Sequence, residues 1–285
     1  MTISIAEAIT EAAQVLKNSG VPDARRDAAS LLSFTVERDR TFLISHSDHL
    51  LSETELESFR DRVDRRSHGE PLQYITGQQD FYGRVFRVSP AVLIPRPETE
   101  LLVEAALELV GEGDAARICD VGTGSGCIVI TLACERVNAR GIALDISASA
   151  LEIAKQNAVA MKVDKRLKFL LSDCFDALAK ADEVFDLIVS NPPYVAAGVV
   201  SGLQREVKDH EPMVALTPGA NGLSVIKRLI DEAPGFLRKD GHLLLEIGFD
   251  QGEAVQALVD SRQWHLVDIR PDLQGIPRIV ILRKI

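Results

Sequence analysis

Cysteine is scarce in this sequence. There are four, Cys119, Cys127, Cys134 and Cys174, and none stands in a Cys-x-x-Cys or other metal-ligand spacing, so no metal centre is expected. Three of them fall in a predicted strand and helix, where cysteine behaves as a small buried hydrophobe, and reduced thiols of this kind fit a cytoplasmic protein. Long apolar runs are missing too. Nothing approaches the roughly 18 apolar residues that span a bilayer, so no membrane partner is expected. The opening stretch MTISIAEAITEAAQ has no basic region and carries Glu7 and Glu11 inside a helical pattern, which predicts a folded helix and not a signal peptide. Positive charge is in deficit, with 32 Lys and Arg against 42 Asp and Glu for a formal charge of −10. That argues against a broad electrostatic footprint for nucleic acid, while leaving room for a local basic patch. Internal repeats and low-complexity tracts are absent.

What is present is the composition of a globular protein, 46% apolar and 26% charged, and 285 residues suffice for one large or two ordinary domains. Residues 1–75 predict a small helical domain. Ile5, Ile9, Ala12 and Leu16 form a stripe at helical spacing closed by Gly20. Pro22 suits the first position of a second helix running towards Glu37. Ser52 and Glu55 make a capping box ahead of Leu56, Phe59 and Val63, and the charges Arg60, Arg62, Arg65 and Arg66 predict a solvated face. Residues 76–97 predict a connector, with a short hairpin turning at or near Gly83, and Pro97 then opens a helix from Glu98 to Val110.

In the remaining domain, residues 98–285, strands and helices alternate from Ala116 onward. RICDVG, RGIALDI, LKFLLSD, FDLIVSN, GHLLLEIG, WHLVDIR and PRIVILR are seven candidate strands. Helical patterns separate the first five, and another lies between the fifth and sixth, which predicts a parallel sheet covered on both faces. PDLQGI is too short for a helical crossover, so the last two strands should pair antiparallel and the sheet should end in one antiparallel strand.

Two segments carry chemistry. The first strand runs into Asp120 and then Gly122-Thr123-Gly124-Ser125-Gly126, followed by a helix. Glycines there let the backbone turn sharply and approach a ligand at a helix start, and the spacing is Gly-x-Gly-x-Gly, not the dinucleotide fingerprint. The second strand ends at Asp145, 19 residues after Gly126, where a carboxylate can accept from both ribose hydroxyls or cap the next helix, a role open to Ser147 as well. Asp173, after the third strand, suits either the exocyclic amine of an adenine or a turn cap. The strongest local signal is Asn191-Pro192-Pro193-Tyr194 after the fourth strand. Two prolines hold an extended backbone whose carbonyls point outward, Asn191 adds a side-chain acceptor and Tyr194 a flat face, which together suit a planar NH2 group.

Asn191–Tyr194 resembles the motif of methyltransferases that act on nitrogen in planar amides or amines, and DVGTGSG resembles their S-adenosylmethionine loop. QYITG, FYG, VLIPRPETE, EPMVAL, NGL, LLLEIG and QGIPRIV resemble the release factor glutamine methyltransferases, the HemK/PrmC family, over essentially the whole chain. The resemblance implies a Rossmann-like, seven-stranded S-adenosylmethionine-dependent domain behind a small N-terminal helical domain. It implies S-adenosylmethionine as cofactor, S-adenosylhomocysteine as its product, and the glutamine of the Gly-Gly-Gln loop of class 1 peptide-chain release factors as substrate. Carried over residue by residue, Gly122 to Gly126 meet the methionine end, Asp145 the ribose, and Asp173 and Cys174 the adenine. Relatives often have a bulkier apolar residue at the Cys174 position, so adenine packing should be thinner here. Asn191, also near the cofactor, and Pro192, Pro193 and Tyr194 hold the substrate amide, with no required general base; His210 is expected to be a surface or capping residue.

The nearest rival is the sister enzyme acting on a large-subunit ribosomal protein, which resembles PRSP where this chain has IPRPETE. A DNA amino-methyltransferase would want an insertion for reading bases, and none is visible. A non-catalytic nucleotide-binding module would have no use for an intact Asn191–Tyr194 loop.

Overall fold

The computed structural model describes residues 2–179 and 184–285, and the chain packs as two compact units. One comprises Met1–Gln78 with Gln204–His210, and the other Gln79–Leu203 with Glu211–Ile285.

The first unit is helical, with α1 (Ile5–Asn18), α2 (Ala24–Val36), α3 (Arg40–Ser45), α4 (Glu53–Ser67) and α5 (Leu72–Thr76). Capping boxes start α1 and α4: the Ser4 and Ser52 hydroxyls accept from the Glu7 and Glu55 amides, and those glutamates accept in return from the serine amides. The stripe Ile5, Ala8, Ile9, Ala12 and Leu16 is buried against Leu31 and Leu32 of α2 and Leu56, Phe59 and Val63 of α4. Each fully buried leucine, isoleucine or phenylalanine there contributes about 1.5–3 kcal/mol.

Pro22 does not open α2, which begins two residues later behind Asp23. Gly20, at φ 83°, ends α1, and the Val21 amide reaches back to the Leu16 carbonyl, so Val21 belongs to the stop of α1 and the next helix cannot start so early. Arg66 also departs from the expected solvated face. It is buried, donating through Nε to Asp27 at 2.9 Å and through Nη1 to Glu206 at 2.9 Å and to the Glu70 carbonyl at 3.0 Å. Its place three residues after Val63 and seven after Phe59 puts it on the packed side of α4, and helical spacing overrides charge. Glu206 belongs to the short helix Arg205–His210, which packs in this unit although it falls later in the chain.

The second unit begins with a hairpin, β1 (Gln78–Phe81) and β2 (Arg84–Arg87). Tyr82 and Gly83, at φ 50° and 68°, form the two-residue turn whose twist suits a hairpin. Phe81 and Phe86 meet edge to face at 5.9 Å, and Asn157 pins the hairpin by accepting from the Arg87 amide and donating to its carbonyl. After it come α6 (Thr99–Leu109), β3 (Arg117–Val121), α7 (Cys127–Glu135), β4 (Arg140–Asp145), α8 (Ala148–Ala160), β5 (Leu167–Leu171) and β6 (Phe185–Ser190). The short helix of the first unit is α9 (Arg205–His210), followed by α10 (Met213–Leu216), α11 (Ser224–Glu232), β7 (Leu237–Glu246), α12 (Gly252–Leu258), β8 (Trp264–Pro271) and β9 (Pro277–Lys284).

All seven candidate strands join one sheet, in the order β5-β4-β3-β6-β7-β9-β8. The alternation of side chains is clean: Ile118, Leu187, Leu244 and Ile281 face the layer of α6 and α7, while Cys119, Ile188, Leu245 and Val280 face that of α11 and α12. β9 is the antiparallel strand, but it lies between β7 and β8 and does not end the sheet. Ile279 to Leu282 are all buried, whereas β8 is largely exposed, so the more apolar strand takes the inner slot. No helix joins β5 to β6 among the described residues. Ser172 donates to the Cys174 carbonyl and accepts from the Ala177 amide, local bonds that set a turn and compete with a helix; Lys180 to Glu183 lie outside the described residues. Among those described, no helix is long and apolar enough to cross a membrane.

Breaking a buried ion pair strands a charge, whereas an exposed pair is worth little. Asp27→Ala should therefore lower the opening free energy of α2 and α4 amides by about 3 kcal/mol, and Arg26→Ala, from the exposed Arg26–Asp23 pair, by under about 0.5 kcal/mol. Hydrogen exchange measures both, and equal losses would contradict the assignment.

Candidate functional site

The parallel strands β3, β4, β5, β6 and β7 end at one edge of the sheet, where the loops after β3, β4, β5 and β6 line a single cleft. After β3 the backbone turns through Gly122, Gly124 and Gly126, all at positive φ. A Cβ built on Gly122 or Gly124 would meet nothing, so the backbone there is open to a ligand; at Gly126 it would lie 2.6 Å from Ile130 Cδ1, which is why α7 can start so close. Thr123 and Ser125 are buried in the same loop.

Asp120 is wholly buried. Its Oδ2 accepts from the Thr123 hydroxyl at 2.7 Å and the Val129 amide at 3.4 Å, its Oδ1 has no hydrogen bond, and burial pushes its carboxyl up to about 7. Asp145 is buried in the cleft wall, its Oδ2 accepting from the Gly124 amide and its Oδ1 from the Ser147 amide, both at 2.8 Å. Burial raises its pKa against those two bonds. Ser147 is the cap of α8, accepting from Ala150, so Asp145 is not spent on that role. Asp173 lines the cleft with Cys174 and pairs with Arg228 at 2.8 Å. Cys174 is buried at φ 47°, and burial pushes its thiol up to about 11.

Asn191, Pro192 and Pro193 also line the cleft; Tyr194 does not. Its ring packs against the apolar layer of α11, its carbonyl accepts from Gln251 at 3.0 Å, and its hydroxyl donates to Glu246 Oε1 at 3.2 Å. Gly222 is needed beside it, because a Cβ there would lie 2.2 Å from the Tyr194 carbonyl oxygen. Asn191 Nδ2 donates to Thr99 Oγ1 at 3.0 Å, and Thr99 in turn donates to Glu246 Oε2 at 2.7 Å. Thr99 and Glu246 are both buried, and burial pushes the Glu246 carboxyl up to about 7. Arg96, on the cleft wall, pairs with buried Glu211, which also accepts from the Ile94 amide. His210 belongs to the helical unit.

Gly122 to Ser125 of the glycine loop, Asp145, Asp173, Cys174 and Asn191 to Pro193 thus share one cleft, whereas Gly126 does not line it and packs against Ile130. Sequence reasoning gave no role to Thr99, Glu246, Arg96 or Glu211. One signal was available: Glu246 follows three apolar strand residues, Leu243 to Leu245, and a buried acid has to find donors. The donor set fits a nucleoside with a cationic amino-acid tail. Asp145 keeps free lone pairs, and the open glycine backbone admits the tail.

Residues 7–77 match the PrmC N-terminal domain family, and residues 112–260 a methyltransferase domain family. The release factor glutamine methyltransferase of Koribacter versatilis is 43% identical over 282 residues, spanning 99% of both chains. The chain belongs to the release factor glutamine methyltransferase family. Another member, from Nitratidesulfovibrio vulgaris, is 41% identical and covers 97% of this chain and 94% of its own. A methyltransferase structure from Pyrococcus furiosus, at 16% identity and TM-score 0.53, covers 79% of this chain and 98% of its own and shares the fold. This member of the family is a methyltransferase whose cofactor is S-adenosylmethionine.

The raised Asp120 pKa has a consequence for stability. Between about pH 4 and about pH 7 the folded protein keeps a proton that the unfolded chain releases, so Asp120 costs stability as pH rises through that window. Asp120→Asn should gain on the wild type by up to about 1.4 kcal/mol per pH unit there, and no further above about pH 8. Urea denaturation at several pH values measures the gap, and a gap independent of pH would contradict the assignment.

Proposed function

We propose that the chain transfers the methyl group of S-adenosylmethionine to the side-chain amide nitrogen of the glutamine in the Gly-Gly-Gln motif of class 1 peptide-chain release factors. The observation that carries this reading is the Asn191 side chain, whose Nδ2 is engaged by Thr99 while the residue lines the cleft shared with Asp145 and the glycine loop. That leaves its carbonyl oxygen to accept an N–H from a planar amide. The curated relatives are called release factor glutamine methyltransferases, which supports the same substrate. The reaction belongs to the cytoplasm, where release factors work, and needs no direct contact with nucleic acid.

When bound, S-adenosylmethionine supplies an electrophilic methyl group on a sulfonium. The chain does the holding. Gly122 to Gly126 would receive the methionine end, Asp145 would accept from the ribose hydroxyls, and Asp173 and Cys174 would lie along the adenine; all but Gly126 line the cleft. An amide nitrogen is a poor nucleophile because resonance ties its lone pair to the carbonyl. Accepting both of its N–H bonds, at Asn191 Oδ1 and the Pro192 carbonyl, orients the nitrogen and favours pyramidal geometry. Such positioning can be worth roughly 7–11 kcal/mol. The proton leaves after transfer, when the methylated nitrogen has become acidic. One small amide cannot distinguish one protein from thousands, so recognition of the release factor falls to surfaces such as the helical unit.

Incubation with labelled S-adenosylmethionine and an intact class 1 release factor should label the Gly-Gly-Gln glutamine, located by mass spectrometry, and far more efficiently than a short Gly-Gly-Gln peptide. Label elsewhere, or none, would overturn the substrate. Asn191→Ala should lower kcat by at least about a hundredfold in a folded protein, as removal of one preorganised partner does at other sites. Turnover near wild type would sink the positioning mechanism.

A further inference from the structure

We propose that Thr99 and Glu246 are positioning residues for methyl transfer, holding the Asn191 amide with its carbonyl oxygen turned towards the substrate. This rests on the reading of Asn191 as an acceptor for the substrate amide, and it supplies what that reading lacks. An asparagine side chain is nearly symmetric in shape, and a flip of its amide would present NH2 to the substrate's own N–H and abolish the grip.

The direction is set two residues away. Thr99 has a single hydroxyl hydrogen, and it lies on Glu246 Oε2 at 2.7 Å in a buried setting. With that hydrogen committed, Thr99 Oγ1 is an acceptor towards Asn191. Only Nδ2 can face it favourably across 3.0 Å; the flipped amide would set two acceptors against each other. The carbonyl oxygen of Asn191 is therefore turned away from Thr99. Glu246 Oε1 meanwhile takes the Tyr194 hydroxyl, so one carboxyl holds both ends of the tetrapeptide, one end through Thr99 and the other directly. Register explains why these residues meet. Ser190 on β6 pairs with Leu245 on β7, which makes Asn191 and Glu246 the next residues of adjacent parallel strands, and Thr99 is the first residue of α6.

Thr99→Val keeps the size of the side chain and removes both bonds. Assayed in the full chain with S-adenosylmethionine and intact release factor, at alkaline pH where the Glu246 carboxyl is ionised, it should lower kcat about tenfold or more. KM for the release factor and cofactor affinity should stay within about threefold of wild type, the split expected when an interaction acts only in the transition state. Thr99→Ser, which retains donor and acceptor, should recover most of the rate. In an Asn191→Ala background Thr99→Val should have no further effect, because it acts through Asn191. Wild-type kcat in Thr99→Val, parallel losses in cofactor affinity and kcat, or an equal further loss in the Asn191→Ala background each overturn the proposal. Should Thr99→Val fail to fold, Thr99→Ala gives the same reading, since it too removes both bonds. An active Asn191→Ala overturns the acceptor reading itself, whereas an inactive Asn191→Ala beside a fully active Thr99→Val overturns the positioning role alone.

Discussion

Glu246 sits at the end of β7 with its carboxyl group out of contact with water, and the fold around the cleft is arranged to satisfy it. A carboxylate in such a place is tolerable only if its oxygens are met by donors. Thr99 comes from the start of α6 and Tyr194 from the loop after β6, so three segments far apart in the chain are drawn to one group. Burial still pushes the carboxyl up to about 7, a sign that the two donors only partly offset the loss of water. Asp120 repeats the pattern beneath the glycine loop, with one oxygen bonded and the other without a partner. Buried acids of this kind oppose stability, and both stand next to the loops that define the cleft.

The sheet decides where those loops fall. β3 has β4 on one side and β6 on the other, so the chain leaves β3 towards one edge and later crosses to the opposite flank. The reversal opens a crevice at the carboxyl ends of these strands, the usual ligand position in open parallel sheets. Asp145 links two sides of that crevice by accepting from the Gly124 amide, which makes the glycine loop and the end of β4 one rigid piece. Gly222 and Gln251 do the equivalent for Tyr194, the first by having no Cβ where the backbone passes and the second by donating to its carbonyl.

Much of this was legible in the sequence because parallel strands buried on both faces, such as β3, β4 and β6, are continuous apolar runs. The glycine loop and Asn191–Tyr194 were legible because their residue types have few other uses in that order. What local pattern could not supply was neighbourhood. β9 rather than β8 takes the inner slot through its greater burial across four residues, a comparison visible only once both strands compete for β7. Arg66 has the charge of a solvated residue but the spacing of a packed one, three residues after Val63 and seven after Phe59, and its partners Asp27 and Glu206 lie 39 and 140 residues away in sequence. That no helix joins β5 to β6 among the described residues reflects side-chain bonds of Ser172 that no periodicity reveals. Thr99 and Glu246 were present in recognisable segments, yet their shared function depends on a contact across 147 residues.

Positioning of the substrate amide depends on the direction of hydrogen bonds along Glu246, Thr99 and Asn191, and neutron diffraction from a deuterium-exchanged crystal observes that direction itself. The expected map shows the Thr99 deuterium on the line to Glu246 Oε2 and the ND2 group of Asn191 facing Thr99, with the Asn191 carbonyl oxygen on the cleft side. A Thr99 deuterium pointing at an Asn191 oxygen would contradict it, because the group presented to the substrate would then be a donor.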